Sequence, residues 1–244
     1  MINFLSKTLM GAFFLARMVK GEQRISIQWK DESKQSVLAY SNRLGMMKGT
    51  AYPGELEAGD IRNDFIHGSG ILKVIRWKLE GDPYSSFTNL VVDTFEENFR
   101  RYIEESEQVL SVCLMNVSIP RDGFAVAKGI FFQALPEADE DSRNRIIALA
   151  SSKLDRDSFF AQENTELVAS LSSLLEEEVE LLDSGQPMMQ CDCSRNKIAQ
   201  VIVSLGEKEA NEIITEQGKI EVECEFCKSR YDFEREHVAR LFPD

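Results

Sequence analysis

Apolar residues along this chain fall into two rhythms, and the change from one to the other marks its organisation. Arg24 to Lys30 alternates with a period of two and puts Ile25, Ile27 and Trp29 on one face, the pattern of a half-buried strand. Ser36 to Tyr40 and Gly49 to Tyr52 read as further short strands with turns at Asn42 and Gly45. Ile71 to Leu79 reads as a stronger strand, stopped by Gly81-Asp82-Pro83. From Val91 to Ser106 the rhythm becomes helical, with Val92, Phe95, Phe99 and Ile103 on one stripe. Val109 to Val117 and Gly123 to Phe132 return to strand, joined through the turn sequence Ile119-Pro-Arg-Asp-Gly123. These elements predict an α+β core domain over residues 1–137, with a mixed, largely antiparallel sheet and packed helices. Near the start, Leu5, Leu9, Phe13 and Met18 lie close to helical spacing. The apolar run Leu9 to Ala16 is short and relieved by Gly11, and no small-x-small cleavage site follows it. The segment therefore reads as a partly buried helix rather than a secretory leader.

After Pro136 the composition shifts to Ser, Glu and Leu. Ile146, Ile147, Leu149 and Leu154 predict one helix; Leu167, Leu171, Leu174 and Leu175 form the stripe of another, with Asn164 as a candidate N-cap. Phe159 and Phe160 are the only aromatics here, so residues 138–187 read as a helical linker with no large core of its own. Such helices have to lean on another element and are expected to be of low stability. A third unit, residues 188–244, holds the remaining signals: Ser194 as N-cap of a helix through Leu205, stops at Gly206 and Gly218, and strands over Lys219 to Glu223 and Arg230 to Phe233.

Composition is that of a water-compatible globular chain of 244 residues, 43% hydrophobic and 28% charged, with a formal net charge of −13. An acidic surface of this kind disfavours nucleic acid. Residues 188–244 repeat the bias locally, with eight Lys/Arg against twelve Asp/Glu. No 18-residue apolar run predicts a membrane span.

Cysteine placement changes the picture most. Cys191-Asp-Cys193 and Cys224-Glu-Phe-Cys227 are separated by thirty residues, enough for the chain to fold back and form a tetrathiolate zinc site. Four thiolates leave no open coordination position, and the two histidines, His67 and His237, stand at no ligand spacing, so catalytic zinc is not expected. Without the metal each pair can close into a disulfide; of three connectivities, proximity favours Cys191–Cys193 and Cys224–Cys227. Clustered thiols that have to remain reducible fit a cytoplasmic location. The acidic neighbours Asp192, Glu223 and Glu225 are expected to disfavour thiolates, making metal-free thiols sluggish near neutral pH. Cys113 stands apart and reads as a small buried apolar residue. Spacing alone leaves a permanent zinc clip and a redox switch both open. It also leaves room for a thiol–disulfide oxidoreductase using Cys224 and Cys227, or for a zinc-clipped interaction protein.

The run Cys191-Asp-Cys193-Ser-Arg, then Leu205-Gly-Glu, then Gly218-Lys-Ile-Glu-Val-Glu-Cys224-Glu-Phe-Cys227-Lys-Ser-Arg-Tyr-Asp-Phe233 closely resembles the bacterial redox-regulated heat-shock chaperone family of thirty-three kilodaltons. Gly81-Asp-Pro-Tyr-Ser-Ser-Phe through Tyr102-Ile-Glu-Glu-Ser-Glu-Gln-Val and Phe132-Gln-Ala-Leu-Pro136 extend the resemblance upstream. It implies an ATP-independent holdase and not an enzyme. The reduced protein is then a zinc-bound, inactive monomer; oxidation ejects zinc, forms two disulfides and unfolds the linker. Apolar surface is thereby exposed to unfolding client proteins, and activity is strengthened by homodimerisation. Carried over by position, Cys191, Cys193, Cys224 and Cys227 are both metal ligands and switch thiols. The sequence does not show which surface holds clients; the stripe Leu167, Leu171, Leu174 and Leu175 is the candidate for the apolar groups uncovered when the linker melts. Family members usually carry several tens of residues ahead of the Leu5 to Val19 helix, so a shortened amino-terminal region is expected.

Overall fold

The computed structural model describes residues 1–19, 21, 23–53, 69–78, 80–91, 94–119, 125–151, 156–162 and 164–242. They form two compact units, Met1–Met189 and Gln190–Asp244. The first opens with α1 (Ile2–Met18), followed by strands β1 (Arg24–Asp31), β2 (Ser36–Asn42), β3 (Met46–Tyr52), β4 (Gly70–Trp77) and β5 (Tyr84–Asn89). Helix α2 (Phe95–Glu107) leads into a hairpin of β6 (Ser111–Ser118) and β7 (Val126–Gln133), and then come α3 (Glu140–Ser151), α4 (Arg156–Ala161), α5 (Asn164–Leu175) and the two-residue strand β8 (Met188–Met189). The main sheet runs β5-β4-β1-β2-β3-β8. Its pairings are antiparallel except β3 with β8, so the α+β, largely antiparallel expectation holds.

Local chemistry accounts for the turns. The Asp31 carboxylate accepts from Gln35 N at 2.9 Å and from Ser33 Oγ at 2.8 Å, closing the β1–β2 connection. Asn42 Oδ1 accepts from Met46 N at 3.0 Å, and Gly45 at φ +83° supplies a conformation other residues rarely adopt. The predicted inward face of β1 is correct: Ile25, Ile27 and Trp29 are all buried. So is that of α2, where Phe95, Phe99 and Ile103 are buried; Val92, the Leu79 end of the β4 prediction and most of the Ile119–Gly123 turn lie outside the described residues.

Three features were not expected. Helix α1 is partly buried as expected, but its deepest face is not the predicted stripe: Thr8, Gly11, Ala12, Leu15 and Ala16 are fully buried, with Leu5, Leu9, Phe13 and Met18 half-buried beside them. Small residues make that depth attainable. A Cβ on Gly11 would meet the Phe99 ring at 3.2 Å, one on Gly49 the Leu5 Cδ1 at 2.9 Å, and one on Gly129 the Phe14 Cζ at 3.0 Å. Strand β5 has no alternating apolar signal because its inward positions are polar. Ser86 shares a 2.8 Å hydrogen bond with the Tyr102 hydroxyl, and Thr88 donates to Glu105. Strand β8 is too short to carry any period.

The hairpin is apolar on both faces. Cys113, Met115 and Phe131 join the core built by α1, α2 and the main sheet, which is where Cys113 was expected to be, buried among apolar groups. Val112, Leu114, Ile130 and Phe132 face the other way and are covered by Ile146, Leu149, Phe159, Phe160, Leu167, Leu171, Leu174 and Leu175 of α3–α5. Those helices thus lean on the sheet, as their thin apolar stripes require. Leu154 lies outside the described residues, and Ile147 of the predicted stripe is exposed.

Candidate metal centre

The second unit contains α6 (Arg195–Leu205), α7 (Glu207–Gln217), the hairpin β9 (Lys219–Glu223) and β10 (Arg230–Glu234), and α8 (Arg235–Ala239). Ser194 caps α6 as predicted, its hydroxyl accepting from Lys197 N at 3.3 Å. Gly206 at φ +92° ends that helix and starts α7; Gly218 at φ +80° closes α7 with its N–H on Ile214 O at 2.9 Å. Between β9 and β10, Cys224 N donates to Ser229 O and Lys228 N to Cys224 O, both at 2.9 Å, which folds Cys224 to Cys227 into a tight knuckle. Arg195, two residues after Cys193, donates to Asp232 O at 2.7 Å and lies 4.4 Å over the Phe233 ring, fastening the first thiol segment to the returning strand. The buried core is Ile202, Ala210, Ile214, Ile220, Phe233 and Val238. That is little for a 55-residue unit, and units of this size generally need a staple.

These elements bring all four predicted sulfurs together. The Sγ atoms of Cys191, Cys193, Cys224 and Cys227 lie within 4.8 Å of one another, with Cys191 to Cys224 at 3.7 Å and Cys193 to Cys227 at 3.3 Å. Four sulfurs at Zn–S bonds of about 2.3 Å in a tetrahedron are about 3.8 Å apart, so the donor set suits one thiophilic ion with modest adjustment. The cluster grades from inside to outside: Cys224 is buried, Cys191 and Cys193 are half-buried, and Cys227 is exposed. His237 takes no part. It caps α8, its Nδ1 accepting from Glu234 N at 3.4 Å; His67 lies outside the described residues.

Electrostatics differ from the expectation of uniformly sluggish thiols. Burial pushes Cys191 up to about 12, and Cys193 is also raised, by Cys227 and by burial, against the lowering pull of the Tyr231 hydroxyl at 3.1 Å. Cys227 goes the other way, down to about 6, because the Ser229 hydroxyl and backbone stabilise its thiolate. The neighbouring acids matter less than their count implied. Asp192 is paired with Lys197 Nζ at 2.6 Å, and Glu223 with Arg230 at 3.2 Å and Lys228 at 3.7 Å. Ser229 and Tyr231 are hydroxyl-bearing neighbours of the sulfurs that sequence reading missed. Their spacing, one just before and one within the returning strand, is their only signal.

A family model described as Hsp33 protein matches residues 1–234. The chain belongs to the Hsp33 family. It is 29% identical to the 33 kDa chaperonin of Listeria monocytogenes serotype 4a over 255 residues, covering 98% of this chain and 85% of that protein. It is likewise 29% identical to the 33 kDa chaperonin of Nitrosococcus oceani over 243 residues, covering 98% and 81%. Its fold matches the crystal structure of the 33 kDa chaperonin from Thermotoga maritima with a TM-score of 0.82 at 23% identity, covering 98% and 83%. Hsp33 is a chaperonin family and not an enzyme family, which supports a chaperone function and sets the oxidoreductase reading aside. Among the described residues no helix is long and apolar enough to cross a membrane.

Proposed function

We propose that this chain is a redox-regulated, ATP-independent holdase of the cytoplasm whose four-thiolate site binds one Zn²⁺ in the reduced state. The observation that carries this reading is a cluster of four sulfurs in a unit of little core, on a chain whose α3–α5 segment lies over an apolar sheet face. Cys191, Cys193, Cys224 and Cys227 hold the metal; oxidation pairs Cys191 with Cys193 and Cys224 with Cys227 and costs the small unit its staple. Residues 138–187 then act as the metastable linker between a core over 1–137 and the switch unit over 188–244. The uncovered groups are the stripe Leu167, Leu171, Leu174 and Leu175 together with Val112, Leu114, Ile130 and Phe132 beneath it. Unfolding proteins bind this surface, and the protein passes from a reduced monomer to an oxidised homodimer. The direct test follows zinc release and suppression of client aggregation together while peroxide is added under mild heating. A reading of this kind requires both to rise in step. A protein that keeps its zinc, or loses it without gaining holding activity, is a zinc-clipped scaffold instead.

A further inference from the structure

We infer that Tyr231 and Ser229 are positioning residues that set the oxidation threshold of the thiol cluster, by hydrogen-bonding half-buried Cys193 and exposed Cys227. The inference deepens the thiol-switch reading and rests on it. Two of the four sulfurs belong to the inner part of the cluster, Cys224 buried and Cys191 half-buried beside it at 3.7 Å. The other pair, Cys193 and Cys227, stands 3.3 Å apart, and each has a hydroxyl at or just before the start of β10: Tyr231 Oη at 3.1 Å from Cys193, where either atom can donate, and Ser229 Oγ at 3.3 Å from Cys227, where the thiol donates and the hydroxyl can donate in return once the sulfur is a thiolate. Tyr231 is paired with Val222 across the hairpin and packs against the small unit's core, so its hydroxyl is aimed by a fixed ring. Ser229 is fixed through its carbonyl on Cys224 N at 2.9 Å. Hydrogen bonds of this kind orient metal ligands and tune their charge.

In the metal-loaded site all four sulfurs are already thiolates, so a hydroxyl donor cannot increase the thiolate fraction. It can only withdraw charge from the sulfur and slow its attack. The reaction guarded against is with a peroxide: the sulfur lone pair forms an S–O bond, the O–O bond breaks, and hydroxide (or the corresponding alkoxide) leaves. Sulfur is oxidised and the peroxide reduced. A neighbouring thiol then displaces the sulfenic oxygen as water and forms the disulfide. Exposure alone would make Cys227 the easiest target, and the Ser229 hydroxyl opposes that bias; Tyr231 does the same for half-buried Cys193.

The test uses the full chain loaded with equimolar zinc and reduced, as wild type, Tyr231→Phe, Ser229→Ala and the double variant. Phenylalanine keeps the ring, and alanine keeps the Ser229 backbone contacts. Zinc release by hydrogen peroxide is followed with a chelating dye, and early oxidation at each cysteine is read by trapping and mass spectrometry. Loss of a hydrogen bond worth about tenfold in sulfur basicity, transmitted with a Brønsted coefficient of about 0.4–0.5, gives roughly threefold faster attack per hydroxyl. The expected pattern is site-selective: Tyr231→Phe raises early oxidation at Cys193, Ser229→Ala at Cys227, and the double variant releases zinc roughly tenfold faster if the two add. Zinc affinity from chelator competition identifies a merely structural loss, which would raise oxidation at all four cysteines alike and overturn the inference. Unchanged site rates would also overturn it. Client holding, measured on the same samples, tests the holdase reading separately, since that reading can fail while the site-selective rates stand.

Discussion

Truncating Phe159 to alanine is expected to switch on client holding without any oxidant. Phe159 is buried against Phe160 in an edge-on contact with ring centroids 5.4 Å apart, inside the cluster that joins α3–α5 to the outer face of the β6–β7 hairpin. Removing a buried phenylalanine costs about 3–5 kcal/mol. Even about 3 kcal/mol raises the population with the cover detached by roughly a hundredfold, at about 1.4 kcal/mol per decade. The loss falls on a segment with only three well-buried apolar side chains of its own described, Leu149, Phe159 and Phe160, while the α1-centred core is untouched. Hydrogen exchange should therefore quicken over residues 140–175 and stay slow over β1, β2 and α1. Reduced, zinc-retaining variant should suppress aggregation of a denatured model enzyme where the wild type does not. If exchange shows the cover open, the zinc is still bound and aggregation proceeds unchanged, the surface beneath α3–α5 is not where clients are held.

Chelating the metal from the reduced protein should remove roughly 10 kcal/mol or more of apparent binding free energy from a unit with six buried apolar side chains, leaving Gln190–Asp244 open to protease while β1–β7 stay resistant; limited proteolysis reads this. Without metal, the four thiols should separate by pH. Cys227, down at about 6, is largely thiolate at pH 7 and loses reactivity as pH falls through that value, whereas Cys191, up at about 12, stays protonated and slow; alkylation rates between pH 5 and 9 check the order. Gly49→Val should lower the melting temperature by several degrees, through about 1–3 kcal/mol of overpacking, because a Cβ there already meets Leu5 Cδ1 at 2.9 Å and Leu38 O at 3.1 Å.

Much of this architecture was legible from residue order because burial and period agree. Ile25, Ile27 and Trp29 point inward where alternation places them, and Ser194, Gly206 and Gly218 mark helix ends by their own chemistry. The four thiols were legible for a stronger reason: few other arrangements use two close pairs thirty residues apart. Where reading failed, tertiary contacts replaced periodicity. Inward Ser86 and Thr88 are satisfied by Tyr102 and Glu105 from another element, so β5 has no apolar signature. The depth of α1 depends on glycines contributed by β3 and β7, far away in the chain. The charge around the thiols was misjudged because counting acids does not show that Lys197 and Arg230 neutralise them.

Strand β8 is a single rung: Met188 and Met189 lie parallel to Met46 and Met47, with Met188 N on Gly45 O at 2.8 Å. Only Gln190 separates that rung from Cys191. The two-residue rung is thus the last pairing of the main sheet along the chain, and the thiol segment begins one residue beyond it.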